Sequence, residues 1–154
     1  MPEYFDISLI APKTKSSKSE IEFCLNKLSL SEGENTSDIF SGRQILVSII
    51  DAEESDFEEL SIGLPEQIFY KETFEEDLKK LTIFINRFFD CNSNFNYALC
   101  SYELNGYLIG SIKKYEQFSN TAFLKRFPII YERKSSLGLP LLKTNTDAQE
   151  IFKQ

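Results

Sequence analysis

The stretch TFEEDLKKLTIFINRFFD, residues 73–90, decides the fold of this chain. Thr73 and Glu76 have the spacing of a helix capping box, and acidic residues fill the first turn, where the helix dipole favours negative charge. Apolar residues then recur every three or four positions, at Phe74, Leu78, Leu81, Ile85 and Phe88, and are joined by Ile83, Phe84 and Phe89. This period predicts a largely buried helix that ends near Asp90.

Strand-like segments flank this helix on both sides. Residues 44–50, QILVSII, are almost continuously apolar and β-branched, which predicts a strand placed centrally in a sheet. Looser alternation predicts strands at residues 4–10 and 60–64, and residues 129–131 predict another short one.

The dipeptide Asn105-Gly106 predicts a β-hairpin. Type I′ turns need positive φ at both central positions, and asparagine followed by glycine is the strongest sequence signal for them. The two strands of the expected hairpin are residues 97–104 and residues 107–112, which are rich in tyrosine and aliphatic residues.

Further helices are expected before and after these strands. A second capping-box pattern at Ser17 and Glu20 precedes apolar residues at helical spacing, namely Ile21, Cys24, Leu25 and Leu28. Residues 115–127 predict a third helix, stopped before a proline, and residues 147–152 predict a short terminal one. Residues 31–36 and 135–140 are rich in turn-forming residues and predict loops.

The order of these elements predicts the fold class. A chain of 154 residues with 42% hydrophobic residues is long enough to bury its own core. We expect one α+β domain over residues 1–154, with a mostly antiparallel sheet and about three helices packed on one face. No apolar run approaches the length of a membrane span, and the start lacks a signal-peptide pattern, so we expect a cytoplasmic protein that does not bind membranes.

The residues that are missing limit the chemistry. Histidine is absent, and with it the commonest general base and metal ligand. The three cysteines show no C-x-x-C spacing and are expected to be free, buried thiols. Glycine-rich nucleotide-binding loops are also lacking. We therefore expect no catalytic residue, no cofactor and no bound metal.

Negative charge is concentrated in residues 51–77, the acidic belt. It holds eleven acidic residues and one base, Lys71, in a chain whose formal net charge is −7. The acids near residue 76 are explained by the helix dipole, and residues 60–70 are too apolar for a display loop. The remaining acidic segment, residues 51–59, is expected to be a surface loop centred on an aromatic residue. Its candidate partner-binding residues are Asp51, Glu53, Glu54, Asp56, Phe57, Glu58 and Glu59.

This charge distribution favours a non-enzymatic binding protein. Opposite charge speeds encounter with a basic protein partner, while buried aromatic anchors supply affinity. The expected example is a bacterial immunity protein that blocks the phosphate-binding or catalytic groove of a nuclease-like toxin. Binding to nucleic acid is not expected, because the basic residues between 113 and 143 are few and the pI is about 4.7.

Other interpretations of the acidic segment remain open. It can be a solvated surface with no partner, as charge runs usually are. A metal-dependent carboxylate enzyme, or an accessory domain of one, would use Asp51 at the end of its strand as a ligand. A structural role, with exposed apolar residues forming a homodimer, is the third alternative.

Overall fold

The computed structural model describes residues 5–40, 42, 44–64, 72–102, 105–133 and 141–144. Its strands are β1 (Phe5–Pro12), β2 (Gly33–Thr36), β3 (Gln44–Ile50), β4 (Phe57–Leu64), β5 (Tyr97–Tyr102), β6 (Ile129–Glu132) and β7 (Leu141–Thr144). Its helices are α1 (Ser17–Lys27), α2 (Phe74–Cys91), α3 (Asn105–Gly110) and α4 (Thr121–Leu124), with a 3-10 helix at Tyr115–Ser119. The predicted α+β fold is confirmed.

The seven strands form one sheet in the order β2-β3-β4-β1-β5-β6-β7, and every neighbouring pair is antiparallel. β1 lies at the centre, paired with β4 on one side and β5 on the other. β3 is paired on both sides, with β2 and β4, as predicted for a strand inside the sheet. The loop predicted at residues 31–36 was wrong in part, because residues 33–36 form β2.

The larger core lies between the sheet and the two long helices. Phe5, Ile7 and Leu9 of β1 point into it and are completely buried. α2 confirms the predicted helix, since Leu81, Ile85 and Phe88 are fully buried while Ile83 is 54% exposed on the outer side.

The two predicted capping boxes do not form. At α2 the hydroxyl of Thr73 donates to the carboxylate of Asp77, 2.7 Å away, and makes no side-chain cap. Ser17 is the first residue of α1 rather than its cap, and its hydroxyl donates to Glu58 of β4. A capping box requires the hydroxyl oxygen of the N-cap residue to accept from an amide of the first turn, and neither helix has such a hydrogen bond.

A smaller core covers the opposite face of the sheet. Here the short helices α3 and α4 and the 3-10 helix pack against β1, β5 and β6. Phe118 is completely buried in this core, with its ring 4.8 Å from that of Phe57 in an edge-to-face arrangement. The predicted single helix over residues 115–127 is interrupted at Asn120, whose side chain accepts hydrogen bonds from the amides of Ala122 and Phe123 and so begins α4.

The predicted hairpin at Asn105-Gly106 was wrong, because residues 105–110 form α3. One edge of β5 pairs with β1 and the other with β6, so neither edge is open to a strand from residues 107–112. The apolar residues of this segment are instead buried in the smaller core as Leu108, Ile109 and Ile112. Long-range strand pairing thus overrides the local turn signal.

Several expectations fall on other parts of the chain. The predicted loop at 135–140, the predicted helix at 147–152 and residues 65–71 of the acidic belt lie outside the described residues. Within the described part, no helix is both apolar enough and long enough to cross a bilayer. The cysteines are free, as predicted, and Cys24 and Cys100 are buried while Cys91 is half-buried.

The turn after α1 leads to a stability prediction. Ser29 has φ of +60°, and the amides of Ser29 and Leu30 donate to the carbonyls of Asn26 and Leu25, which is a Schellman arrangement. Glycine is the residue that this position prefers, so Ser29→Gly should raise the free energy of unfolding by about 0.5–1 kcal/mol. Urea denaturation measures the change. Ser31→Gly, two residues later at ordinary φ, is the control and should not stabilise; equal effects of both variants would contradict the prediction.

Candidate functional site

The acidic segment is divided between a loop and a strand. Residues 51–56, here called the acidic loop, connect β3 to β4, whereas Phe57, Glu58 and Glu59 are the first residues of β4. These three are only 5%, 2% and 5% exposed. The expectation that they lie on the surface was therefore wrong, and the candidate surface is reduced to the acidic loop.

Pairing with β1 accounts for the burial of these residues. Pro12, Ala11 and Ile10 lie opposite Phe57, Glu58 and Glu59 in the antiparallel ladder. Successive side chains of a strand point to opposite faces, so the two glutamates enter different layers of the protein. Phe57 packs in the smaller core, where its ring contacts that of Phe118.

Glu58 lies under the first turn of α1. One of its carboxylate oxygens accepts a hydrogen bond from the hydroxyl of Ser17. The other, Oε2, is buried and has no hydrogen-bond partner among the described residues. The N-terminal end of a helix favours negative charge, so α1 and its first residue together offset part of the cost of burying this carboxylate.

Glu59 lies on the other face of the sheet and is held by β1. Its Oε2 accepts a hydrogen bond of 2.7 Å from the hydroxyl of Ser8, which is completely buried. Burial raises the pKa of Glu59, and the negative charge of Asp6 adds to that effect, while the Ser8 hydrogen bond opposes it. Glu59 is thus part of the interior and not of a binding surface.

The acidic loop itself is fixed by hydrogen bonds at its last residue, Asp56, and within the loop. The amide of Lys13 donates to the carbonyl of Asp56 at 2.9 Å, and the amide of Asp56 donates to the carbonyl of Lys113 at 3.0 Å. Inside the loop, the hydroxyl of Ser55 donates to the carbonyls of Ala52 and Phe57, at 3.0 and 3.2 Å. The residues that follow β1 and α3 therefore hold the end of the loop that enters β4.

Two lysines already neutralise part of the loop. A carboxylate oxygen of Asp51 lies 2.8 Å from Nζ of Lys13, and one of Glu54 lies 3.3 Å from Nζ of Lys113. The side chains of both acids are at least 40% exposed. Asp56 accepts a hydrogen bond from the amide of Tyr115. Glu53 is exposed and makes no ion pair with any described residue. The loop thus carries four carboxylates and two lysine partners.

Ile50 is an exposed apolar residue beside the acidic loop that the sequence pattern did not single out as a candidate. It ends β3 directly before the acidic loop and is 43% exposed. Ile45, Val47 and Ile49 point into the larger core, so the alternation of the strand already places residue 50 on the other face. Ile50 takes the position beside the carboxylates that had been expected for Phe57.

The geometry of the described residues supports neither a site at Arg133 nor a metal site. Arg133, one of the basic residues, donates to the carbonyls of Phe89 and Phe95, at 2.6 and 2.8 Å, and lies 4.8 Å from the ring of Phe89. It therefore closes the C-terminal end of α2 and does not present a free cation. Over the described ranges, no three acidic or cysteine side chains are grouped as metal ligands would be.

The division of the segment predicts opposite responses to charge reversal. The double change Glu53→Lys and Glu54→Lys should alter the free energy of unfolding by no more than about 1 kcal/mol, since exposed ion pairs contribute little. The double change Glu58→Lys and Glu59→Lys should destabilise by about 3–5 kcal/mol or prevent folding, because it leaves unpaired charge in the interior. Chemical denaturation of the purified variants compares them; similar stabilities would mean that residues 58 and 59 are exposed.

Glu59 also predicts a pH dependence. Because its pKa is raised above 4.5 in the folded protein, the folded state holds a proton that the unfolded state loses first as pH increases. Its contribution to stability is therefore complete below about pH 4.5 and lost as pH rises through the raised pKa. Glu59→Gln stays neutral and keeps an acceptor for Ser8, so it should gain stability over the wild type at pH 7.5 but not at pH 4.

Urea unfolding at the two pH values measures this difference, with Glu53→Gln as the exposed control. The control should follow the wild type at both pH values. Parallel loss of stability in the wild type and in Glu59→Gln would show that Glu59 ionises normally in the folded protein.

Comparison of the chain with protein-family models, with curated proteins and with solved structures gave no match. The features of this chain that bear on its function are the fixed acidic loop, its lysine partners and the exposed Ile50 beside it.

Proposed function

We propose that this protein is a non-enzymatic inhibitor that binds a basic protein partner through the acidic loop. The observation that carries the proposal is the loop itself, in which Asp51, Glu53, Glu54 and Asp56 are exposed on a backbone fixed by β1 and by the segment after α3. Exposed carboxylates on a fixed backbone form a surface that meets positive charge without prior ordering.

A loop backbone that is already ordered lowers the entropy cost of binding a partner. Immobilising a flexible loop on binding costs about 0.5–1.5 kcal/mol for each side chain that becomes ordered, in addition to the backbone. The hydrogen bonds from Lys13, Ser55 and Asp56 order this backbone before any partner arrives.

The internal ion pairs are compatible with binding. Asp51 with Lys13 and Glu54 with Lys113 are exposed pairs, and such pairs contribute about 0–1 kcal/mol each. An arginine or lysine of the partner can therefore join or replace either lysine at small cost. Glu53 needs no such exchange and is the first carboxylate that we expect the partner to engage.

Ile50 supplies the apolar part of the proposed interface. Charge steers the encounter, but buried apolar contacts provide much of the affinity of protein complexes. The side chain of Ile50 is 43% exposed at the base of the loop, where a partner that covers the carboxylates would also cover it. The proposed contact is thus acidic at the loop and apolar at its edge.

The class of partner follows from this chemistry. Nucleases must attract the phosphate backbone and carry cationic grooves to do so. An acidic loop inserted into such a groove excludes the nucleic acid and needs no catalysis of its own. We therefore infer a bacterial immunity protein that acts in the cytoplasm on a nuclease-like toxin.

The test uses the protein encoded beside this chain, purified together with it and separately. We expect binding and, in co-expressing cells, protection from growth arrest. The double change Glu53→Lys and Glu54→Lys should slow association at least about tenfold at low salt and flatten its salt dependence, since steering depends on charge. Ile50→Ser should instead increase dissociation, because it removes apolar contact.

The matched control reverses two exposed acids elsewhere, Glu22 on α1 and Glu34 on β2. It changes the net charge by the same amount and should reduce the association rate less than about twofold, since salt screens charges that are distant from the interface. If the neighbouring protein does not bind, or if the loop and control variants behave alike, the acidic loop is not the interface.

A further inference from the structure

Two cysteines from distant parts of the sequence are neighbours where α1 meets the C-terminal end of α2. Cys24 lies in the second half of α1 and is completely buried in the larger core. Cys91 is the last residue of α2, is half-buried, and packs against the same core. Both thiols are free.

A hydrogen bond beside the thiols holds the two segments together. Residues four apart on a helix lie on the same face, so Glu20 and Cys24 are neighbours along α1. Nδ2 of Asn94, three residues after Cys91, donates to Oε2 of Glu20 at 2.6 Å. The chain that follows Cys91 is therefore held against the face of α1 that carries Cys24.

Cys91 also lines an open cleft of about 420 Å³ between these segments. The other residues that shape the cleft include Ser19, Glu20 and Phe23 of α1, with Ser93 and Asn94 after α2. Phe23 is 62% exposed, and Ser93 is exposed as well, so the cleft offers accessible surface to a small molecule. Cys24 is behind Cys91 and does not line the cleft.

The two thiols therefore differ in how they can react. Burial is the main cause that raises the pKa of Cys24. The hydrogen bond and the charge of the neighbouring Cys91 raise this pKa further, whereas Lys27 lowers it. The thiolate is the reactive form of cysteine, so Cys24 is a poor first nucleophile at neutral pH. Cys91, which reaches the cleft, is the thiol that meets a reagent from solvent.

We propose that Cys91 is a site of thiol–disulfide exchange with low-molecular-weight disulfides, and that Cys24 resolves the mixed disulfide. In the first step Cys91 releases its proton to water, and its Sγ attacks one sulfur of the small disulfide. The other half leaves as a thiolate, which is protonated by water. The product of this step is a mixed disulfide on Cys91, exposed to the cleft.

The second step closes the protein disulfide. Sγ of Cys24 attacks Sγ of Cys91, and the bond between Cys91 and the small thiol breaks. The departing thiolate takes up the proton that Cys24 loses. The two cysteines are thus oxidised to one disulfide, while the small disulfide is reduced to two thiols.

The disulfide would join α1 to the end of α2. A cross-link between residues that are far apart in sequence restricts the unfolded chain and thereby stabilises the folded one. Oxidation should therefore raise the melting temperature by about 5 °C or more. A reductant should return it to the starting value.

The test is incubation of the folded full chain with hydroxyethyl disulfide at neutral pH, quenching with N-ethylmaleimide, and peptide mapping by mass spectrometry. We expect a transient mercaptoethanol adduct on Cys91, followed by a Cys24–Cys91 disulfide. Cys100 is completely buried on β5 and is the internal control. Cys91 should react at least about tenfold faster than Cys100, because reactivity requires access.

Three variants separate the two roles. Cys24→Ala should stop the reaction at the adduct on Cys91, which then persists until reductant is added. Cys91→Ala should leave Cys24 as a thiol. Cys100→Ala, the matched change elsewhere in the larger core, should form the disulfide at the wild-type rate. Thermal melting confirms that each variant folds, and the wild-type time course gives the order of the two steps without any variant.

Absence of reaction in the folded wild type would overturn the proposal. An adduct on Cys91 that never resolves, a disulfide that includes Cys100, or equal rates in Cys91→Ala and the wild type would also overturn it. A melting temperature lowered by oxidation would show that the disulfide does not fit the native packing of α1 and α2. None of these measurements involves the acidic loop or its partner, so failure here is distinguishable from failure of the proposed inhibitor function.

Discussion

The antiparallel ladder between β1 and β4 is the constraint on which the rest of the structure depends. It joins the central strand to a strand that starts inside the acidic segment, from Phe5 opposite Leu64 to Pro12 opposite Phe57. Once this register is set, Glu58 must enter the layer of α1, and Glu59 must enter the opposite layer. Each carboxylate is then met by a serine hydroxyl, from Ser17 and Ser8. The interior thus accepts two acids, because each gains a donor that water no longer supplies.

The same ladder determines what the acidic loop can do. Because residues 57–59 are bound into the sheet, only residues 51–56 project, and Asp56, the last of them, is fixed by backbone hydrogen bonds to Lys13 and Lys113. These two lysines also pair with Asp51 and Glu54. Bracing and partial neutralisation therefore come from the same residues. The loop is therefore less negative than its sequence indicates. Its ordered backbone, more than its net charge, is what favours binding.

Periodicity within one segment predicted the elements whose structure is locally determined. α2 and β3 follow from their apolar spacing, because burial of one helical face or of a β-branched run needs no knowledge of a particular neighbour. The hairpin at Asn105-Gly106 failed for a non-local reason, since both edges of β5 are occupied by strands distant in sequence. Glu58 and Glu59 were placed on the surface because a glutamate in an acidic run is normally solvated. Their donors lie 41 and 51 residues away, and no local pattern connects them.

The position of the proposed interface follows from the layers of the fold. The acidic loop leaves the sheet where β3 turns into β4, and it is braced by segments from the smaller-core side as well as from β1. β3 is paired on both sides, with β2 and β4, so the strand from which the loop starts has no open edge. A partner that approaches this end of the sheet therefore meets the loop and the exposed side chain of Ile50, and not unpaired strand backbone.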